Sequence, residues 1–421
     1  MKLPDGWKYI KLSDIGNISK GSGIKREDSN SGTIPAVRYG ELYTSHNDYI
    51  KEFYSFISEK VAEESVLLKK GDLLFTCSGE TKEDIGKCAA FVSDCKAYAG
   101  GDLIIFSPKV PCDSKFLGFL CNSYSINKQR YRYAQGDSVV HISTESIANL
   151  KITFPPLEEQ QKIAEILCEQ DTIISLKQKL LEQKLQQKKW LIQKLMEVSH
   201  TNADCEKVFS FGGVVIDKSG WKKEILGRIC TITGRIGFRG YTRSDITSSD
   251  KGVLSLSPSN IIDGQLNMED STFITLEKYL ESPEIMIQKH DIVFVKTGST
   301  FGKVGYLDSI YQKATINPQL VIVRSNNLVR QNLLYYILKS DYFQNFVNKI
   351  VVGGAVPTLS QEQLSKIMIH LPTLPEQKII AQVLSTADKE IALLKSIIEQ
   401  EKQKKKSLAQ LLLTGTVRVK T

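Results

Sequence analysis

The sequence predicts a mixed α/β (α+β) protein. Two tandem strand-rich domains are each followed by a long helix, and the two helices pack antiparallel as a coiled coil with pseudo-two-fold symmetry. Three observations predict it. Phe154-Pro155-Pro156-Leu157-Glu158-Glu159-Gln160 returns as Leu371-Pro372-Thr373-Leu374-Pro375-Glu376-Gln377, and Pro155/Pro372, Leu157/Leu374, Glu159/Glu376, Gln160/Gln377, Ala164/Ala381 and Asp171/Asp388 all lie 217 residues apart. A period of half the chain marks a duplication, which governs any reading of the fold. Each copy heads a long helical run, and each run follows a stretch of short apolar segments separated by turn residues.

The boundaries follow from the repeat: a first domain over 1–154, a helix over 155–200, a second domain over 201–371, a helix over 372–413 and a tail over 414–421. The first domain opens with Trp7, Leu12, Ile15 and Ile18 before Lys20-Gly21-Ser22-Gly23. The second opens with Trp221, Leu226, Ile229 and Ile232 before Gly234-Arg235. Ser58 and Thr275 are placed to cap short helices. Gly71–Thr76 and His290–Val295 read as strands, as do Leu103–Phe106 and Leu320–Val323. Phe116–Tyr124 and Leu333–Tyr342 read as short amphipathic helices. Gly136 and Gly353 then lead to Ser143-Thr144-Glu145 and Ser360-Gln361-Glu362, whose acids suit a first helical turn.

In the second long run Ile380, Leu384, Ala387, Ile391, Leu394 and Ile398 step by four and three, a heptad seam. In the first, Ile163, Leu167, Ile174 and Leu181 hold the same places, with Gln170 and Lys177 interrupting. A helix of about 40 residues is ~60 Å long and needs a partner for its apolar stripe. Its own duplicate is the nearest one, and a second copy of the chain is the alternative.

Composition bounds the function. The chain has 421 residues, 41% hydrophobic and 24% charged, with net charge +8. That balance suits a soluble protein with a polyanionic partner. The eight cysteines form no CxxC pair and the five histidines do not cluster with them, so metal-site spacing is absent. No run approaches the ~18 apolar residues of a membrane span, and the start has no apolar leader, so the expected place is the cytoplasm. Gly298-Ser299-Thr300-Phe301-Gly302-Lys303-Val304 resembles a phosphate loop but has too short a spacing, and Val304 stands where a magnesium-binding hydroxyl belongs. Asn317-Pro318-Gln319-Leu320 lacks the second proline and the aromatic of an amino-methyltransferase tetrapeptide. No cofactor, no metal and no catalytic residue is expected.

Basic and polar residues assigned to loops are the candidate DNA-binding set. In the first domain they are Lys20, Ser22, Lys25, Arg38, Tyr39, Lys82, Lys87, Arg130, Arg132 and His141. In the second they are Arg235, Arg239, Arg243, Lys296, Thr297, Ser299, Thr300, Lys303 and Lys349. Arg and Lys neutralise phosphates, Arg reads guanine, and hydroxyls or amides meet base edges or phosphates.

The two Pro-x-Leu-x-Glu-Gln helix starts, Gly71–Thr76 through Gly86-Lys87, Lys296–Ser299 through Gly302-Lys303, Leu359–Leu364 and the closing Leu411–Gly415 are similar to the specificity subunits of type I restriction-modification enzymes. The likeness runs through essentially the whole chain. It departs in a longer loop between Ser78-Gly79 and Gly86-Lys87. The resemblance implies two target recognition domains, each reading one half of an asymmetric bipartite site in double-stranded DNA. The helices would set the gap and dock two modification subunits, with restriction motor-nuclease subunits joining them. S-adenosylmethionine, ATP and magnesium would then belong to those partners. The rival reading is a coiled-coil adaptor with two protein-binding heads and no DNA role.

Overall fold

A computed structural model describes residues 3–82, 84–136, 139–196, 208–268, 272–310, 312–350 and 357–420. The turn expected at Gly353 and the boundary expected at residue 200 lie outside the described residues. The chain divides into two compact units, Met1–Lys179 with Ser396–Thr421, and Leu180–Lys395. Each unit therefore holds one domain and a portion of both long helices.

In the first unit, strand Lys8–Lys11 pairs antiparallel with Lys151–Phe154, so the domain closes on itself where the first long helix begins. Its main sheet is antiparallel in the order Gly16–Lys20, Leu103–Pro108, Leu73–Thr76, Cys88–Ala90. A second sheet runs Ser55–Ile57, Ile34–Val37, Tyr98–Ala99, Val66–Leu67. Leu73–Thr76 and Leu103–Pro108 are buried along most of their length, which is why they read as continuous apolar runs rather than alternating ones.

The second unit repeats the plan. Lys222–Ile225 pairs with Met368–Leu371. The larger sheet runs Cys230–Gly234, Leu320–Ser325, Ile292–Val295, Val304–Tyr306, Gln265–Leu266, Ile261–Ile262. A hairpin of Val208–Phe211 and Val214–Asp217 precedes it, where no strands were expected; Phe209 and Phe211 pack on Trp190 of the first long helix.

Local chemistry explains the helix starts. Ser58 and Thr275 cap their helices, and Ser143 and Ser360 cap the turns before the long helices. The amphipathic helices are Ser114–Cys121 and Gln331–Lys339. Each is followed by a further helix, Tyr124–Tyr133 and Asp341–Ile350, that the sequence reading left as connection.

The long helices span Leu157–Met196 and Leu374–Leu413. The Gln of each heading is almost fully buried. Gln160 donates to Pro155 O (2.8 Å) and accepts from Asp113 N (3.0 Å). Gln377 donates to Pro372 O (3.0 Å) and accepts from Arg330 N (3.1 Å). One amide thus knits the long helix to the start of the short helix beside it, and the same pair of bonds occurs in both units. Each such buried bond contributes about 1 kcal/mol net, and more is lost if a partner is stranded.

In the first unit Ile163 and Leu167 join Leu412, Leu413, Phe106 and Phe116 in one core. In the second, Leu191 and Leu195 join Ile380, Leu384, Phe294 and Leu333. The two helices therefore pair antiparallel within one chain, as polar contacts also show: Gln170 with Glu401 in the first unit and Lys184 with Glu390 in the second. Ile174, Ile391 and Ile398 are buried in the seam, while Leu181, Ala387 and Leu394 are half-buried. Gln170 and Lys177 do not weaken the pairing, because both reach the carboxylate of Glu401. The tail folds onto the first domain: Arg418 pairs with Glu159, which also accepts from Trp7 Nε1 at 3.1 Å. Among the described residues no helix is long and apolar enough to cross a membrane, and no cluster of side chains could hold a metal ion.

Candidate nucleic-acid interface

A polar concavity of the first domain lies at the end of strand Gly16–Lys20. A Cβ on Gly21 would meet Gly100 O at 2.0 Å, so glycine lets two loops touch. Gly23 and Ile24 then take positive φ (64° and 48°). For a β-branched residue that is strained, and burial of Ile24 among Ala36, Ile57, Ala62 and Tyr98 holds it there. The reversal brings Lys25 and Arg26 to a concavity also lined by Arg38, Tyr39, Gly101 and Asp102.

Arg38 is anchored through Nε to Glu41 (3.3 Å) and Ser55 (2.8 Å), with its Nη groups available to an acceptor. Lys25 pairs with exposed Glu27 at 3.9 Å, a pairing worth little in water. Cys77 N donates to Asp102 O at the rim, and the adjoining strand pair places Ser78 opposite exposed His141. The Ser22 hydroxyl is spent on Glu64 O at 2.7 Å. Lys20 is exposed at the strand end, and Lys82 is half-buried and already has a partner.

Two corrections concern arginines expected at a loop surface. Arg130 lies in helix Tyr124–Tyr133, only 3% exposed, and its guanidinium donates to Gly86 O and Asn127 Oδ1. Burial pushes its pKa down. It holds the Gly86 turn and has no surface to offer. Arg132, two residues on, is exposed between exposed Tyr131 and Tyr133, on the same helix rather than a loop. Lys87 donates to Tyr43 O (3.3 Å), and burial lowers its pKa against the pull of Asp48 and Asp84. Lys87 and Arg130 share an opening with Asp48, Asp84 and Asp171 and with Lys51, Lys402 and Lys405, a lining of mixed charge.

Arg235 is the second correction. It is 4% exposed and donates to Ile316 O, Thr315 Oγ1 and Arg239 O, each at 3.3 Å, with its guanidinium 5.5 Å from the Tyr241 ring. Arg239 in turn donates to Glu281 O (3.1 Å). Both brace the loop that carries exposed Arg243 on the turn Arg243–Asp245.

A tight loop joins strands Ile292–Val295 and Val304–Tyr306. Gly298 and Gly302 close it at φ 109° and 81°. Within it Phe301 N bonds to Gly298 O, Gly302 N to Val295 O and Lys303 N to Thr300 O, while Gly298 N reaches Pro357 O. The loop turns back into strand Val304–Tyr306 rather than opening a helix, as a phosphate loop does. Ser299 and Thr300 form the exposed tip, flanked by half-buried Thr297, Lys296 and Lys303. Burial lowers the pKa of Lys296. Lys349 is exposed on helix Asp341–Ile350, not on a loop.

The sequence reading missed Arg26, which was signalled by its place beside Lys25 and by its 217-residue spacing from Arg243. The structure thus gathers Lys25, Arg26, Arg38 and Tyr39 in one unit and Lys296 to Lys303 in the other.

The comparisons with known proteins bear on the whole chain. The model of the type I restriction modification DNA specificity domain matches it twice, over residues 4–186 and 219–403. The chain belongs to this family. The two matched segments are the two halves of the repeat, and the hairpin Val208–Asp217 falls outside both. A type I restriction enzyme MjaVIII specificity subunit from Methanocaldococcus jannaschii is 26% identical, covering 100% of this chain and 95% of its own. The EcoKI specificity subunit of Escherichia coli K12 is 24% identical over 47% of this chain and 42% of its own. The fold matches a type I restriction-modification S subunit from M. genitalium with TM-score 0.57 and 15% identity, over 98% of each chain. It also matches a chain from a study of type I restriction-modification complex assembly, with TM-score 0.63 and 15% identity, over 99% of this chain and 100% of that one. The family of specificity domains accordingly has its two-domain, two-helix plan here.

Proposed function

We propose that this chain is the DNA-recognition subunit of a type I restriction-modification complex, with each domain reading one half of an asymmetric bipartite site. The observation that carries the reading is the duplicated specificity domain spanning both halves of the chain. The concavity of Lys25, Arg38 and Tyr39 serves one half-site, and the loop Lys296–Lys303 with Arg243 serves the other. Anchored Arg38 offers two donors to a base edge or phosphate, while Ser299 and Thr300 offer short hydroxyls. Apart from Arg26 and Arg243, which lie 217 residues apart, the side chains offered by the two surfaces differ, so the two half-sites differ in sequence. The paired helices set the gap and dock two modification subunits, which carry S-adenosylmethionine and methylate adenine. Motor-nuclease subunits bring ATP, magnesium and cleavage. This chain supplies address, not chemistry.

The complex with modification subunits is expected to bind one site far better than random duplex. That affinity falls about 10³-fold or more between roughly 50 and 200 mM salt if six or more phosphates are met. Titration of a labelled duplex across salt checks it. Equal affinity for every duplex would contradict the reading.

A further inference from the structure

Each unit contains the same three-residue joint. In the first, Lys405 of the second long helix pairs with Asp171 of the first (2.8 Å) and sits 5.0 Å from the centroid of the Phe119 ring, in helix Ser114–Cys121. In the second, Lys188 of the first long helix pairs with Asp388 of the second and sits 5.8 Å from the Tyr336 ring, in helix Gln331–Lys339. Lys188 and Lys405 lie 217 residues apart, as do Asp171 and Asp388, and Phe119 and Tyr336. The two joints are one joint, duplicated.

The other polar pairs across the helices do not recur. Gln170, Lys177 and Glu390 correspond at that spacing to Ala387, Leu394 and Ile173. Where the two joints differ, each compensates. Phe119 has no hydroxyl, and Lys405 there takes a second carboxylate, Asp48 of the domain, at 2.9 Å. Gln265 stands at the matching place in the second unit. There the Tyr336 hydroxyl donates to Asp388 Oδ2 (2.6 Å) instead. Burial would lower the pKa of Lys405, but Asp48 and Asp171 outweigh it and hold the ammonium charged. Each joint therefore ties three elements: both long helices and a helix of the recognition domain.

An apolar heptad seam cannot by itself tell one register from the next, because a slip of seven residues, ~10 Å, meets equivalent Ile and Leu again. A single polar pair at the seam can, since a slipped Lys or Asp is left without its partner. We propose that the Lys188–Asp388–Tyr336 and Lys405–Asp171–Phe119 joints fix the phase of the helix pair and the seat of each recognition domain on it, and thereby set which gap between half-sites is accepted. Their six residues determine specificity by position, without touching a base. This rests on the bipartite reading given under Proposed function.

The test uses the full chain assembled with its modification subunits and reads adenine methylation by sequencing on a library in which the gap between half-sites varies. In K188M/K405M, which keeps the long apolar stems, discrimination against gaps one base pair too long or too short is expected to fall from about 100-fold to within about tenfold, with the half-sites unchanged. K188D alone behaves the same way, and K188D/D388K recovers the discrimination. D171N/D388N, which keeps the side-chain volumes, gives a second route should the Met variant not assemble. If both double variants lose thermal stability yet keep the native gap preference, the joints are merely structural and the proposal is overturned. If the unaltered complex shows no bipartite site, the parent reading fails instead, and the two failures are distinct.

Discussion

A chain carrying four extra residues in each long helix, between Lys179 and Leu180 and between Lys395 and Ser396, is expected to direct methylation to a site with unchanged halves and a longer gap. Four helical residues add ~6 Å, close to two base pairs at ~3.4 Å each. The insertions fall at the boundary between the two units, so each unit keeps its own core and its own Lys–Asp pair. Methylation at the native gap should fall about 100-fold, since a displacement of even 1 Å at a reacting group can cost that much. Sequencing of modified DNA from cells carrying the extended chain reads both quantities. Altered bases within the half-sites and an unaltered gap would mean that the helices do not set the distance.

Replacing Arg130 with Ala is expected to destabilise the chain by about 2–4 kcal/mol, read as a drop in thermal unfolding temperature. The loss removes both guanidinium bonds, strands the buried Gly86 carbonyl and leaves a cavity beneath the turn. Arg132→Ala, at an exposed neighbour on the same helix, should change stability by no more than about 0.5 kcal/mol. An Arg130→Ala chain with native unfolding temperature and weakened DNA binding would return this residue to the recognition surface.

The contrast between these two arginines shows what the sequence could carry. The duplication was legible because its markers are chemical necessities: Gln160 and Gln377 each satisfy a helix start that would otherwise bury bare backbone groups. The seam was legible because apolar periodicity is what pairs long helices. Capping by Ser58 and Thr275 was legible because few side chains reach a helix N-terminus. In Arg130-Tyr131-Arg132-Tyr133, by contrast, only the turn of a short helix decides which arginine faces in, and the helix itself has a weak apolar pattern. Arg235 was misread for a related reason. It follows a strand directly, and whether it points outward depends on the neighbouring loop at Thr315 and Ile316, about 80 residues away. Lys188 and Lys405 stand in lysine- and glutamine-rich runs at the 217-residue spacing, but their pairing with Asp388 and Asp171 depends on the register of the two helices. The hairpin Val208–Asp217 has no counterpart in the repeat, so the duplication gave no warning of it.

Base-resolved mapping of methylated adenines in DNA modified by the chain with its partner subunits addresses the claim of two unlike readers at a set distance. The account predicts a single motif with two different specified halves separated by a gap of constant length and free sequence. A palindromic motif, one uninterrupted motif, or halves found at many separations would contradict it.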